Sequence, residues 1–191
     1  MLEHLNNRSI FLASKSPRRK ELLKSLNLCF EIQSTNICES YPSNLPAEEV
    51  AIYLALKKAK ACVIEHERAV YITADTIVNA NGLVLNKPSD ETEARQMLSD
   101  LSEKTHDVHT GVCIKTAEKI EQFTESTQVT FNKLSDAEIE YYIHHFQPFD
   151  KAGSYGIQDW IGKIGISQIN GCYYNVMGLP LSRLYHCLLK L

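Results

Sequence analysis

Apolar residues in this chain recur at two spacings, every second position and every third or fourth, and the switches between them outline its elements. An apolar run from Ile10 to Ala13 leads into Ser14-Lys15-Ser16-Pro17 and then the leucines Leu22 and Leu23. That order predicts a strand, a tight loop and a helix, with Ser16 as N-cap and Pro17 at the first helical position. Phe30 to Ser34 alternates as a short strand does, and residues 35–46 read as an irregular, proline-punctuated loop. From Ala47 to about Glu67 the pattern is helical, with Val50, Leu54, Ala61 and Cys62 on one stripe and Lys58 in the middle of it. Ala69 to Ala74 is a β-rich apolar run that ends at Asp75-Thr76 and resumes at Ile77-Val78. Asn81-Gly82 then predicts a hairpin whose return strand is Leu83–Leu85.

The second half alternates in the same way. Ser89 or Asp90 caps a helix carrying Ala94, Met97, Leu98 and Leu101, and residues 105–115 and 120–131 form an antiparallel strand pair. Ser135-x-x-Glu138 is a capping box for a helix with Ile139, Tyr142, Ile143 and Phe146 on its stripe, stopped by Gln147-Pro148. Residues 150–159 form a glycine-punctuated loop that lets backbone approach a ligand. Ile161 to Ile169, with Gly162 and Gly165, predicts a further hairpin, and Pro180 opens a last helix along Leu181, Leu184, Tyr185 and Leu188. Strands and helices interleave, hairpins included, so the fold class is α/β with a mixed sheet, in a single domain over residues 1–191.

Composition narrows the class. A chain of 191 residues buries roughly 70% of its unfolded surface, enough for one core or two lobes sharing one. The net charge of -3 argues against general nucleic-acid binding. Six scattered cysteines without zinc-like spacing, no signal-type N-terminus and no apolar run near ~20 residues lead to an expectation of reduced thiols, a cytoplasmic location and no membrane partner.

Arg18 and Arg19 change the picture. Both fall in the first turn of a helix, where the dipole disfavours cations by roughly 0.3–1 kcal/mol each. With Ser14, Ser16 and free helix N–H groups beside them, they read as an anion site for a phosphate chain, against the plainer reading of a solvated basic turn. Lys58 either snorkels outward or reaches a cleft carrying negative charge. Asp75, set in an apolar run, needs a metal ion, a lysine or a capping role to compensate it. Lys87 lies on the second arm of the same hairpin, facing Asp75 across a cleft. With Glu39, Lys151 and Gln158 the inventory is several cations and hydroxyls, two isolated carboxylates and an amide. Cations suit phosphate oxygens and carboxylates suit Mg²⁺, which is the equipment of phosphoryl or nucleotidyl chemistry. His106 and His109, three apart in a strand, point to opposite faces and cannot share a metal. No G-x-S-x-G elbow, Walker loop or Rossmann fingerprint is present.

In order along the chain stand Ser14-x-Ser16-Pro17-Arg18-Arg19, Glu39, the helix with Lys58, Ala74-Asp75-Thr76 and Lys87-Pro88. They are followed by Leu101-Ser102 before Thr105-His106, by Lys151-Ala152-Gly153-Ser154-Tyr155-Gly156-Ile157-Gln158, and by Gly178-Leu179-Pro180-Leu181. This succession resembles the Maf family of nucleotide pyrophosphatases, related in fold to inosine triphosphate pyrophosphatases. Lys15 departs from a usual small residue, and Asp159-Trp160 stands where glycine is common. The resemblance implies an elongated mixed β-sheet flanked by helices, with two lobes around a cleft. It implies hydrolysis of nucleoside triphosphates at the α–β bond with a divalent cation, Mg²⁺ or Mn²⁺. Asp75 would be the principal acid, catalytic or metal-binding, and Glu39 would help hold the metal. Arg18, Lys58 and Lys87 would grip the phosphates, with Ser14, Ser16 and Arg19 beside them, and Gln158 would orient water or substrate. Tyr155 to Gln158 and Gly171 to Val176 look like the dTTP- and UTP-hydrolysing branch, with Cys172 in place of a usual serine. The alternatives are the 7-methyl-GTP branch and a nucleotide-binding regulator of cell division with little turnover. The expected partner is the nucleotide substrate, with no nucleic acid and a homodimer left open.

Overall fold

The computed structural model describes residues 2–191. Its strands are β1 (Ser9–Leu12), β2 (Glu31–Ile32), β3 (Ala69–Ala80), β4 (Leu83–Leu85), β5 (Thr105–Lys115), β6 (Ile120–Phe131) and β7 (Ile166–Asn170). They form one mixed sheet in the order β2-β1-β3-β5-β6-β7. β1 runs parallel to β2 and β3, and every other pairing is antiparallel. The helices are α1 (Pro17–Lys24), α2 (Ala47–Ala61), α3 (Glu91–Leu101), α4 (Asp136–Phe146), α5 (Trp160–Gly165), α6 (Tyr173–Met177) and α7 (Leu181–Leu188). None of the described helices is long and apolar enough to cross a membrane.

One edge of β3 pairs with β5 along nearly its whole length, from Tyr71 to Asn79. The other edge is shared: β1 covers Ala69 to Ile72 and β4 covers Val78 to Ala80. Between them, Thr73 to Ile77 have no partner strand on that side. The core divides at the same place. Val70, Ile72 and Ala74 pack with Val112, Ile114 and the leucines of α1 and α7, whereas Val78 and Ala80 pack with Val108, Val129 and the apolar faces of α3 and α4. The two long strands β3 and β5 thus run through both lobes, and Asp75-Thr76 lies at the seam.

Period-two alternation decides what the seam residues meet. Thr73, Asp75 and Ile77 face α2: Thr73 Oγ1 donates to the Ala55 carbonyl at 2.7 Å, and Ile77 packs on Val50, Ala51 and Leu54. Helix α2 comes this close because residue 111 of β5 is glycine. A Cβ there would stand 2.4 Å from the Ile52 Cα and nitrogen, which are backbone and cannot yield.

Several expectations need correction. Residues 161–169 are not a hairpin but α5 followed directly by β7, the latter pairing with β6. Gly162 sits where a Cβ would meet the Ile157 carbonyl oxygen at 2.1 Å, so its glycine serves a helix pressed against the preceding loop rather than a turn. Helix α2 stops at Ala61, short of Glu67, as Cys62 turns extended and gives its carbonyl to Lys115 Nζ at 2.6 Å. Val50, Leu54, Lys58 and Cys62 are buried as the pattern predicts, joined by Ala51, Ala55 and Ala59, whereas Ala61 is exposed. β3 does not break at Asp75. Phe146, placed on its helix's apolar stripe, is 38% exposed, and a short helix, α6, precedes α7.

Candidate active site

The unpaired stretch of β3 opens into a cleft of roughly 880 Å³. Ser14, Ser16, Arg18, Arg19, Glu39, Lys58, Asp75, Lys87 and Gln158, drawn from six separate segments of the chain, all line it. Lys151 lines it as well.

At the centre is Lys58. It projects from the inward stripe of α2, is 8% exposed, and is held between two carboxylates. Its Nζ donates to Asp75 Oδ1 and stands 2.8 Å from Glu39 Oε1. The lysine therefore reaches negative charge in the cleft rather than snorkelling away, and it is what compensates Asp75 in the strand. Burial raises the Glu39 carboxyl, but the hydrogen bond and charge of Lys58, with Lys87 and Arg19 further off, outweigh that and hold it below the usual carboxylate range. Lys87 is exposed and makes no ion pair among the described residues. No cluster of three or more His, Cys, Asp or Glu side chains that would enclose a metal occurs among them either.

The two arginines, alike in sequence, are separated by structure. Ser16 caps α1 as expected, accepting from the Arg19 N–H, and no acidic residue stands in the first turn. Arg19 is locked: Nε donates to the Gly178 carbonyl at 2.8 Å, Nη2 to Thr76 Oγ1 at 3.0 Å and Nη1 to Ser14 Oγ at 3.4 Å. Burial lowers its guanidinium from the ordinary value, partly offset by Asp75. Arg18 instead reaches across the cleft, with Nη1 2.7 Å from Asp150 Oδ2. Ser14 Oγ accepts from the Ser16 N–H at 3.2 Å, so this hydroxyl shapes the loop as well as lining the cleft.

The loop after α4 forms the opposite wall. Gly153 and Ser154 take left-handed backbone conformations (φ 66° and 61°), and a Cβ on Gly153 would crowd Val78 at 3.1 Å. Beyond this turn the chain is pinned from below. The Tyr155 hydroxyl lies 2.7 Å from His106 Nε2, and the Tyr142 hydroxyl accepts from the Gly156 N–H and donates to Asp159 Oδ2 at 2.8 Å. Burial pushes His106 down to about 4, so the imidazole is neutral near pH 7. Gln158, next along, has an amide oxygen that is buried without a partner. His109 faces away and pairs with Ser126 Oγ at 2.7 Å, so the two histidines do not converge. Asp150, Thr76 and the Tyr142–Asp159 pair lie at or behind the cleft and were given no role at the site from sequence. The signal for Asp150 was indirect: two arginines in a first turn without an acid need one from elsewhere.

Residues 9–191 match the family model described as Maf-like protein. The chain belongs to the Maf family. A Maf relative from Phocaeicola vulgatus named dTTP/UTP pyrophosphatase is 53% identical over 193 residues, covering 100% of both chains. One of the same name from Bacteroides thetaiotaomicron is 46% identical over 193 residues, again covering 100% of each. Among solved structures, a HAM1 protein from Coxiella burnetii superposes with a TM-score of 0.51 at 16% identity, covering 96% of this chain and 100% of that one. The Maf chain and the HAM1 protein share a mixed α/β fold.

Proposed function

We propose that this chain hydrolyses dTTP and UTP at the α–β phosphoanhydride bond, giving the nucleoside monophosphate and pyrophosphate. The observation that carries this reading is the Glu39–Lys58–Asp75 centre within a cleft also lined by Arg18, Lys87 and Lys151. Full-length relatives with that activity in their names support the substrate class.

Displacement at phosphorus is accelerated mainly by positioning and by neutralising charge on the phosphate oxygens. Arg18 and Lys87 grip those oxygens, with Ser14 and Ser16 beside them, and Arg19 braces the loop that carries the serines. A divalent cation fits the donor set. Mg²⁺ takes one or two carboxylates and completes its shell with water and phosphate, and Glu39 and Asp75 are two carboxylates already gathered on one positive charge. These two would hold Mg²⁺ or Mn²⁺, which when bound neutralises phosphate charge and polarises the phosphorus–oxygen bonds. Asp75 Oδ1 accepts from Lys58, which leaves Oδ2 to hold the attacking water and take its proton. Gln158 Oε1, buried and unpartnered, is an acceptor suited to the imide N–H of thymine or uracil, a donor that cytosine lacks.

The test is a panel of dTTP, UTP, CTP, GTP and 7-methyl-GTP with Mg²⁺ or Mn²⁺, assayed for both pyrophosphate and orthophosphate. The expected result is pyrophosphate without orthophosphate, and the highest kcat/KM for dTTP and UTP, with CTP next. A 7-methyl-GTP value above that of dTTP overturns the base assignment. Binding of dTTP without turnover would point instead to a nucleotide-responsive regulator.

A further inference from the structure

Asp150 holds a position that the proposed activity does not call for. Its two carboxylate oxygens are each taken by a cation that lines the cleft: Oδ2 lies 2.7 Å from Arg18 Nη1, and Oδ1 lies 2.7 Å from Lys151 Nζ. Arg18 belongs to the first turn of α1 and Lys151 to the loop after α4, so one acidic group draws the two walls together. A phosphate group presents the same thing to its surroundings, adjacent anionic oxygens that each accept from a different cation.

The geometry points to Asp150 as an internal stand-in for a substrate phosphate, a carboxylate that occupies Arg18 and Lys151 and is displaced from them when a triphosphate binds. Exposure supports displacement in this direction. The Asp150 side chain is 55% exposed, against 23% for Arg18 and 12% for Lys151, so the carboxylate can rehydrate by turning outward while the cations stay in the wall. Lys151 keeps a second acid, since Asp159 Oδ2 lies 3.6 Å away and is itself fixed by the Tyr142 hydroxyl. Among the described residues Arg18 has no such reserve, and its other contact is the Asp150 backbone carbonyl at 3.5 Å. Burial raises the Asp150 carboxyl, but the Lys151 hydrogen bond and the charges of Arg18 and Lys151 outweigh it and hold the group below its usual range, so it is anionic, and competing, at neutral pH.

The consequence is a lowered affinity for every phosphate-bearing ligand, product as well as substrate. A cleft with these cations unopposed would retain pyrophosphate after each turnover, and the internal carboxylate returns them to a neutralised state as the product leaves. The size of the effect is that of an exposed ion pair, about two- to fivefold in an equilibrium constant.

This inference rests on the pyrophosphatase reading, and Asp150→Asn tests it because the amide keeps the shape and loses the charge. Melting curves verify the fold, with Asp150→Ala as a second variant. The expected result is a fall of about two- to fivefold in both KM for dTTP and the inhibition constant for pyrophosphate, with both falls abolished in an Arg18→Ala background. Unchanged constants overturn the stand-in role. A rise in both constants also overturns it, since Asp150 would then be orienting Arg18 for the phosphate. Calorimetric titration of pyrophosphate into the same variants reads the competition directly, so an enzyme that failed to hydrolyse dTTP would sink the substrate assignment without deciding the role of Asp150.

Discussion

Lys58 and His106 are both nearly inaccessible polar side chains, and they solve burial in opposite ways. Lys58 is held between two carboxylates, so its ammonium group is paired where it is buried. His106, 3% exposed, has among the described residues the Tyr155 hydroxyl at Nε2 and no hydrogen-bond partner at Nδ1, and burial drives it down to about 4. The sign of the pH effect follows. Between pH 6.5 and 4 the unfolded chain binds a proton at this histidine and the native chain does not, so stability falls as the pH falls through that window. A shift from 6.5 to about 4 corresponds to about 3 kcal/mol. Denaturant unfolding of wild type and His106→Gln at pH 7 and pH 4 should show a steeper acid loss in wild type by an amount of that order, and parallel losses would refute the assignment. Sequence spacing made the inward position of Lys58 legible, because Leu54 and Cys62 flank it on one helical face. The position of Glu39 was not legible that way, since a loop has no periodicity to read.

Among the elements, α2 and β5 set the distance on which the centre depends. Their contact at Gly111 is backbone against side-chain-free backbone, and it is this approach that lets Lys58 reach down to Asp75. Gly111→Ala should therefore destabilise the protein by at least about 2 kcal/mol through overpacking and lower turnover beyond what the loss of folded protein explains. Melting temperature together with activity per folded molecule checks this, and a wild-type value for both would contradict it. The long strands, the capping box at Ser135 and Glu138 and the Asn81-Gly82 turn could be read from local chemistry alone. The α5 segment could not. Gly162 and Gly165 resemble turn residues in sequence, and only the packing of Gly162 on Ile157 and of Gly165 on Leu134 and Phe131 shows that they admit close neighbours to a helix. The Asp150–Arg18 pair was likewise out of reach, because it joins residues 132 apart in the chain.

For the molecule as a whole, the two lobes are organised by one discontinuity: β1 and β4 share an edge of β3 and leave Thr73 to Ile77 unpaired between them. The acid at the seam is thus held by a rigid strand, faces an open cleft and is charge-compensated from the helix packed above. The ordered motifs and the charge inventory were enough to gather these residues in advance. The split between locked Arg19 and bridging Arg18 needed the three-dimensional arrangement. The central claim is that chemistry occurs at Asp75, and the most direct measurement is pyrophosphate release from dTTP by Asp75→Asn alongside its melting curve. Asparagine has nearly the same volume and leaves Lys58 paired with Glu39, so the protein should stay folded while turnover falls at least ~10²-fold, the scale of one removed catalytic group. A folded Asp75→Asn protein with near-wild-type turnover would contradict it.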